Sequence, residues 1–326
     1  MIRKTFLVVT LFLMFQGCKA GTSEILKNEK INQNTRAQLS ALNNKLFKAI
    51  AGNDAATVKA MMSDKLLEKD EGNIEKLVKD ASASLSAKNY SLLDEYHVKN
   101  STTGVGNTLF SGLAGNNDYI IHYLALNKEM YVSLLLPGDG ELLITAIYGN
   151  YNNQWKINIL YLGQYRLEKL IAPDYYKQAL DSYNKSYLVD AANYLVLAQQ
   201  CLKPGGEYFQ YLKEKDINDL SEKVMKEVNA KYIFPLTLEN IDTKPKVFRI
   251  YPQIMGEGIF PCILYVTRID LTDVVALKAE NEKVRIEAAK LFNGIDKDKK
   301  AILYRAFAEL PDGVKEVKSY GFVDEK

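Results

Sequence analysis

The stretch Glu129–Tyr165, EMYVSLLLPGDGELLITAIYGNYNNQWKINILYLGQY, decides the fold. Three apolar runs are parted by two clusters of turn formers, Pro137-Gly138-Asp139-Gly140 and Asn150-Tyr151-Asn152-Asn153. Glycine and asparagine tolerate the backbone angles of a tight reversal and proline presets one of them, so each cluster reads as a turn between antiparallel strands. Side chains alternate along a strand. In QWKINILY, Trp155, Ile157, Ile159 and Tyr161 are therefore expected on one inward face, with Lys156 and Asn158 on the other. Such a face can be packed core or the wall of a pocket.

Working outward, YSLLDEYHVKN and DYIIHYLAL add two further strand-like runs before this stretch. Ahead of them the period is helical. Leu39, Leu42, Leu46 and Ile50 recur at one-turn spacing, Gly52 can take a left-handed stop, and Asn53 or Asp54 can cap the next helix, AATVKAMMS. NIEKLVKDASASL supplies a third helical pattern. Helices followed by a strand meander define an α+β unit over residues 35–168, with a curved antiparallel sheet wrapped on the helices.

LFKAIAGNDAATVKAMMSDKL resembles the opening helical pair of the nuclear transport factor 2-like (SnoaL-like) superfamily, and NNQWKINILYLGQY is similar to its late strand. The resemblance implies a cone whose sheet closes over a pocket. Trp155, Tyr123 and Tyr161 are then the candidate ligand-binding wall. His122 is the candidate catalytic residue, a general base with pocket tyrosines as proton donors, in an isomerase, dehydratase or hydrolase type of enzyme. The chain holds two histidines, His97 and His122, both in strand runs, and a structural role for either is the plain alternative.

Residues 169–232 read as helical. Tyr176, Ala179, Leu180, Tyr183 and Tyr187 form one stripe, and Ala192, Leu195, Ala198 and Leu202 a second. The segment resembles a single tetratricopeptide hairpin, with Tyr176, Tyr183, Ala192 and Pro204 at matching positions and Leu180 where glycine is usual. One hairpin cannot form a solenoid, so it is expected to pack on a neighbour or act as a connector. LKEKDINDLSEKVMKEVNA continues as a charged amphipathic helix. Residues 233–326 return to strands: KVFRIYP and IFPCILYVTRIDL across a Gly-rich bend, a helix DVVALKAENEKVRIEAAKLF, then AILYRAFAEL and KEVKSYGFV. The order strand, strand, helix, strand, strand predicts a small α+β domain with an antiparallel sheet.

The first residues, MIRKTFLVVTLFLMFQGCKAG, show a basic start, an apolar run too short to span a bilayer, and a polar continuation, which is the anatomy of an export signal. FQGC resembles the lipobox of bacterial lipoproteins. Gly17 and Cys18 fit it, while Phe15 and Gln16 stand where leucine and alanine or serine are usual. The resemblance implies a signal over residues 1–18, diacylglycerol on Cys18 and a lipid-anchored protein of a Gram-negative envelope. Lys19, in place of a retention aspartate, points to the outer membrane. An ordinary secretory signal, cut elsewhere, is the alternative. Residues 19–34 read as a polar tether that, if flexible, would span roughly 20 Å.

A chain of 326 residues with 47% hydrophobic content supports real cores, and 42 basic against 40 acidic residues leave no block suited to nucleic acid. Cys201 and Cys262 read as buried thiols, with a disulfide open as an alternative. The 21 tyrosines suit amphipathic packing or a pocket wall. No Cys/His cluster has zinc spacing, no Gly-rich loop carries a trailing lysine, and no acidic loop has calcium spacing, so no metal or cofactor is expected. The expected role is a non-catalytic binding or scaffolding module, held to the membrane through lipidated Cys18. Its partner would be an envelope protein, a peptide or a small apolar ligand.

Overall fold

The structure, a computed structural model, describes residues 22–69, 72–85, 87–256 and 258–325. The signal and Cys18 lie outside the described residues. The first element is strand β1 (Thr22–Lys27), and a 3-10 turn over Asn28–Lys30 leads into helix α1 (Gln33–Ala51). This corrects the tether: most of its polar run is built into the fold, because backbone pairing to a neighbouring strand needs no apolar periodicity. Helices α2 (Ala55–Met61), α3 (Asp64–Leu67) and α4 (Asn73–Ser84) follow. The Asp54 carboxylate caps α2 by accepting from the Thr57 N–H at 2.9 Å. The left-handed residue between α1 and α2 is Asn53, with φ 55°, and Gly52 has φ −85°. Asparagine can take that conformation, so the glycine is not needed for it.

Six strands come next: β2 (Tyr90–Asn100), β3 (Gly106–Phe110), β4 (Tyr119–Leu124), β5 (Glu129–Pro137), β6 (Leu142–Tyr151) and β7 (Gln154–Gln164). They do not form one curved sheet. A five-stranded antiparallel sheet runs β1-β2-β5-β6-β7, while β3 and β4 leave it to form a second sheet. Gly106, two residues after the left-handed Gly104 (φ 81°), opens β3. The third strand of that second sheet is β8 (Phe209–Tyr211), which follows the helical hairpin α5 (Ala172–Asn184) and α6 (Leu188–Gln200).

The five-stranded sheet is buried on both faces. One face carries Tyr131, Leu135, Ile144, Tyr148 and Ile157 against Leu46, Ile50, Val58 and Val78 of α1, α2 and α4. The other carries Val98, Val132, Leu134 and Ile147 against Ile121, Tyr123 and Phe209 of the small sheet and Leu197 and Ala198 of α6. Residues Met130 to Pro137 of β5 are buried without interruption as a result.

Helix α7 (Glu214–Lys231) and the short strand β9 (Leu236–Thr237) lead to the last sheet. Strands β10 (Lys246–Met255) and β11 (Gly258–Val266) form a hairpin, and helix α8 (Val274–Leu291) then connects to β12 (Ala301–Phe307) and β13 (Ser319–Glu325). The sheet order is β13-β12-β11-β10-β9, and β12 runs parallel to β11. The expected antiparallel sheet is therefore mixed. A helix long enough to return the chain to its starting end brings the next strand in parallel, which a tight turn cannot do. The α+β class holds throughout. Among the described residues no helix is long and apolar enough to cross a membrane.

Candidate functional site

The residues expected to wall one pocket are dispersed. Strand β7 contains a bulge: Ile147 pairs with Ile159 and Tyr148 with Ile157, so Asn158 is the extra residue and the alternation changes phase there. Trp155 and Ile157 face the α1–α4 side, whereas Ile159 packs into the core on the other side. Tyr161, beyond the bulge, leans on the Gly206 backbone and is partly exposed. Tyr123 is buried, and its hydroxyl donates to Asn100 Oδ1 at 3.0 Å. His122 lies on the small sheet with Nε2 2.9 Å from Gln210 Oε1, beside an open groove with Thr108 and Tyr208.

The histidine that meets a carboxylate is His97. Its Nε2 is 2.8 Å from Glu129 Oε1, and Asn150 Nδ2 donates to Glu129 Oε2 at 2.7 Å. Sequence reasoning missed this pair, although a strand-meander histidine is a place to expect a cross-strand partner. Nearby, two carboxylates are sealed inside the protein. Asp94 accepts from Asn28 Nδ2 at 2.8 Å, from Tyr96 at 3.2 Å and from Tyr119, with Lys27 Nζ at 3.0 Å. Glu95 accepts from Arg36 and Tyr131. Burial lifts the phenols of Tyr96, Tyr119 and Tyr131 above their ordinary range, and the neighbouring carboxylate charge adds to each shift. These phenols remain hydrogen-bond donors at neutral pH. The Tyr119 and Tyr131 hydroxyls hold the β2 carboxylates to β4 and β5, while Lys27 and Asn28 tie β1 and its turn, and Arg36 ties α1, to the same pair, a structural use of polar groups.

Cys201 and Cys262 are both free, and they sit in separate cores. Burial pushes the Cys201 thiol up to about 12 and the Cys262 thiol upward. Neither suits nucleophilic chemistry at neutral pH.

A working surface emerges in the C-terminal sheet. One face packs Val247, Ile263, Tyr265, Ile302 and Tyr304 against Leu277, Val284 and Ala288 of α8. Alternation sends Cys262, Leu264, Leu303, Arg305 and Phe307 to the opposite face, where a bulge at Phe248 also turns Arg249 and Tyr251. Among the described residues, the apolar cluster on that face consists of sheet residues alone: Cys262, Leu264 and Leu303, with Phe248, Tyr251, Phe260 and Phe307 at its rim. Phe248 and Phe307 meet edge to face at 5.4 Å.

Cross-strand rows give this face its chemistry. One row reads Tyr251, Cys262, Leu303, Val323, and the next reads Arg249, Leu264, Arg305, Gly321. Val323 is 58% exposed, and Arg249 and Arg305 are exposed on either side of Leu264. The Arg249 guanidinium lies 5.3 Å from the Tyr251 ring centre. Neither arginine has a carboxylate partner among the described residues. A usable signal was present in the sequence: GIFPCILYV is apolar at every position of β11, and a strand apolar on both faces asks for cover on both.

No family model matches the chain, and no curated protein or solved structure matches it.

Proposed function

We propose that this chain is a lipid-anchored protein of the Gram-negative envelope, held at the outer membrane through Cys18, that works as a non-catalytic binding or scaffolding module. Its contact surface is the uncovered face of the C-terminal sheet, and its partner is a protein segment that is apolar and carries carboxylates. The observation that carries this reading is the contrast between the two large sheets. The central sheet is packed on both faces by other elements of the chain, whereas among the described residues the second face of the C-terminal sheet, with its parallel pair β11–β12, carries sheet residues alone, Cys262, Leu264 and Leu303 being buried only by their rim neighbours. Apolar sheet faces are stable when another layer lies on them. Two arginines that have no carboxylate partner among the described residues select that layer's chemistry, because a guanidinium binds a carboxylate through two parallel hydrogen bonds.

The test places a photo-crosslinking residue at Phe307 in the native envelope, with and without Arg249→Glu and Arg305→Glu. The expected result is one dominant adduct, identified by mass spectrometry, that charge reversal abolishes. Hydrogen bonds to charged groups contribute about 1.5–3 kcal/mol each, so reversing one arginine lowers affinity by more than tenfold. An absent adduct, or one indifferent to charge reversal, rejects the reading.

A further inference from the structure

We infer that the end of the central sheet where β1 begins is the membrane-facing surface of this protein, with Trp155 and Tyr151 as its aromatic contacts and Lys65, Lys128 and Lys156 as its contacts to anionic headgroups. The inference rests on the lipid-anchor reading of Cys18 and adds the orientation of the folded body. Strand β1 is paired along its length to β2, with Thr22 opposite Asn100. Three residues lie between Cys18 and Thr22, and a chain reaches at most about 3.5 Å per step, so over four steps the lipidated cysteine is within about 14 Å of the start of β1.

Antiparallel order then determines which surface shares that end. The start of β1, the end of β2, the start of β5 and the β6–β7 turn all lie there. A cross-strand row runs Glu24, Lys99, Glu129 and, across β6, Asn150 and Trp155. The polar side chains of this end suit an interface. Lys128 donates to the Ser101 carbonyl and Lys156 to the Ala60 carbonyl, which leaves both positive charges without a carboxylate among the described residues. Lys65 and Lys156, with the Asp64 carboxylate beside them, and Tyr151 and Asn152 border a cleft of about 680 Å³ that opens here. Trp155 is half-buried, with the His97 and Tyr131 rings 6.4 and 6.5 Å away, and an indole, apolar with a single N–H, is the side chain favoured at membrane interfaces.

Trp155 is the single tryptophan of the chain, so the full-length protein reports on itself. The experiment reconstitutes lipidated protein in phosphatidylethanolamine and phosphatidylglycerol vesicles containing a nitroxide-labelled headgroup lipid, and reads tryptophan fluorescence. A comparison variant joins Trp155→Phe with Tyr90→Trp, which moves the reporter to the far end of β2, about 30 Å away along the strand. The expected result is severalfold stronger quenching of Trp155 than of the reporter at position 90. Amine acylation supplies a second readout without substitution: Lys65 and Lys156 become protected on vesicles while exposed Lys88, at the far end, stays reactive. Equal or reversed quenching in protein whose Cys18 carries lipid by mass spectrometry overturns the orientation alone. An unmodified Cys18 overturns the anchor reading and the orientation with it.

Discussion

Raising the pH from 10 to 11 tests whether the tyrosines of this chain hold its interior together. Tyr96, Tyr119, Tyr131, Tyr148, Tyr175, Tyr211, Tyr265 and Tyr304 are each at most 4% exposed. Burial is the largest cause lifting every one of these phenols well above its ordinary value. A folded-state value raised above the unfolded one means that the stability is fully present below about pH 10 and is lost as the pH climbs toward the folded value. Holding one phenol neutral while its unfolded counterpart ionises costs about 0.4 kcal/mol at pH 10 and about 1.4 kcal/mol at pH 11. Eight phenols therefore forfeit about 8 kcal/mol across that unit. The whole stability of a folded protein is about 5–15 kcal/mol, so cooperative alkaline unfolding is expected near pH 11. Phenolate absorbance and circular dichroism, followed together, should show these tyrosines ionising only as the fold is lost. If all 21 phenols titrate by pH 11 with native circular dichroism intact, the reasoning is refuted.

Three substitutions probe particular contacts, each by urea unfolding. Gly149→Ala puts a methyl group into the amides of Asn127 and Asn158, breaking the asparagine network that joins the β4–β5 connection to β6 and β7; a loss of about 2–3 kcal/mol is expected. Arg36→Ala strands the Glu95 carboxylate, whose side chain is 2% exposed. A fully buried pair would cost about 3–5 kcal/mol; since Arg36 is itself 38% exposed, about 2–3 kcal/mol is expected, and Glu95→Gln in the same chain should recover part of it. Gly294→Ala combines a left-handed backbone, φ 89°, with overlap of the Tyr187 ring, and should cost about 2 kcal/mol or more while loosening the helical hairpin from the C-terminal domain.

The parts of this fold legible in the sequence were those governed by local pattern. Leu39, Leu46 and Ile50 face the core as their spacing requires, and turn chemistry located β5, β6 and β7. The parts that were not legible depend on partners distant in the chain. β8 is three residues long and exists because Tyr119 to Ile121 offer it an edge. Strand β1 carries a polar sequence, and its pairing is reinforced by Lys27 and Asn28 reaching Asp94. The Asn158 bulge has no signature in QWKINILY, yet it separates Trp155 from Tyr161 and dissolves the expected pocket wall. The surface assigned here was half legible: the continuous apolar run of β11 asked for two covers, but only the placement of α8 reveals which face lacks one.

Thiol labelling of Val323→Cys, in purified protein and in the intact envelope, shows whether the second face of the C-terminal sheet is covered where the protein works. The native background is low, because Cys201 and Cys262 are buried with raised thiol values and Cys18 is read as lipidated. Val275→Cys, on α8 at 81% exposure, serves as the reference. Position 323 is expected to label readily in purified protein and to be protected in the envelope, while position 275 labels in both, and Arg249→Glu with Arg305→Glu is expected to restore labelling at 323. Equal labelling of position 323 in both settings would contradict this, because the face would then be bare where the protein works.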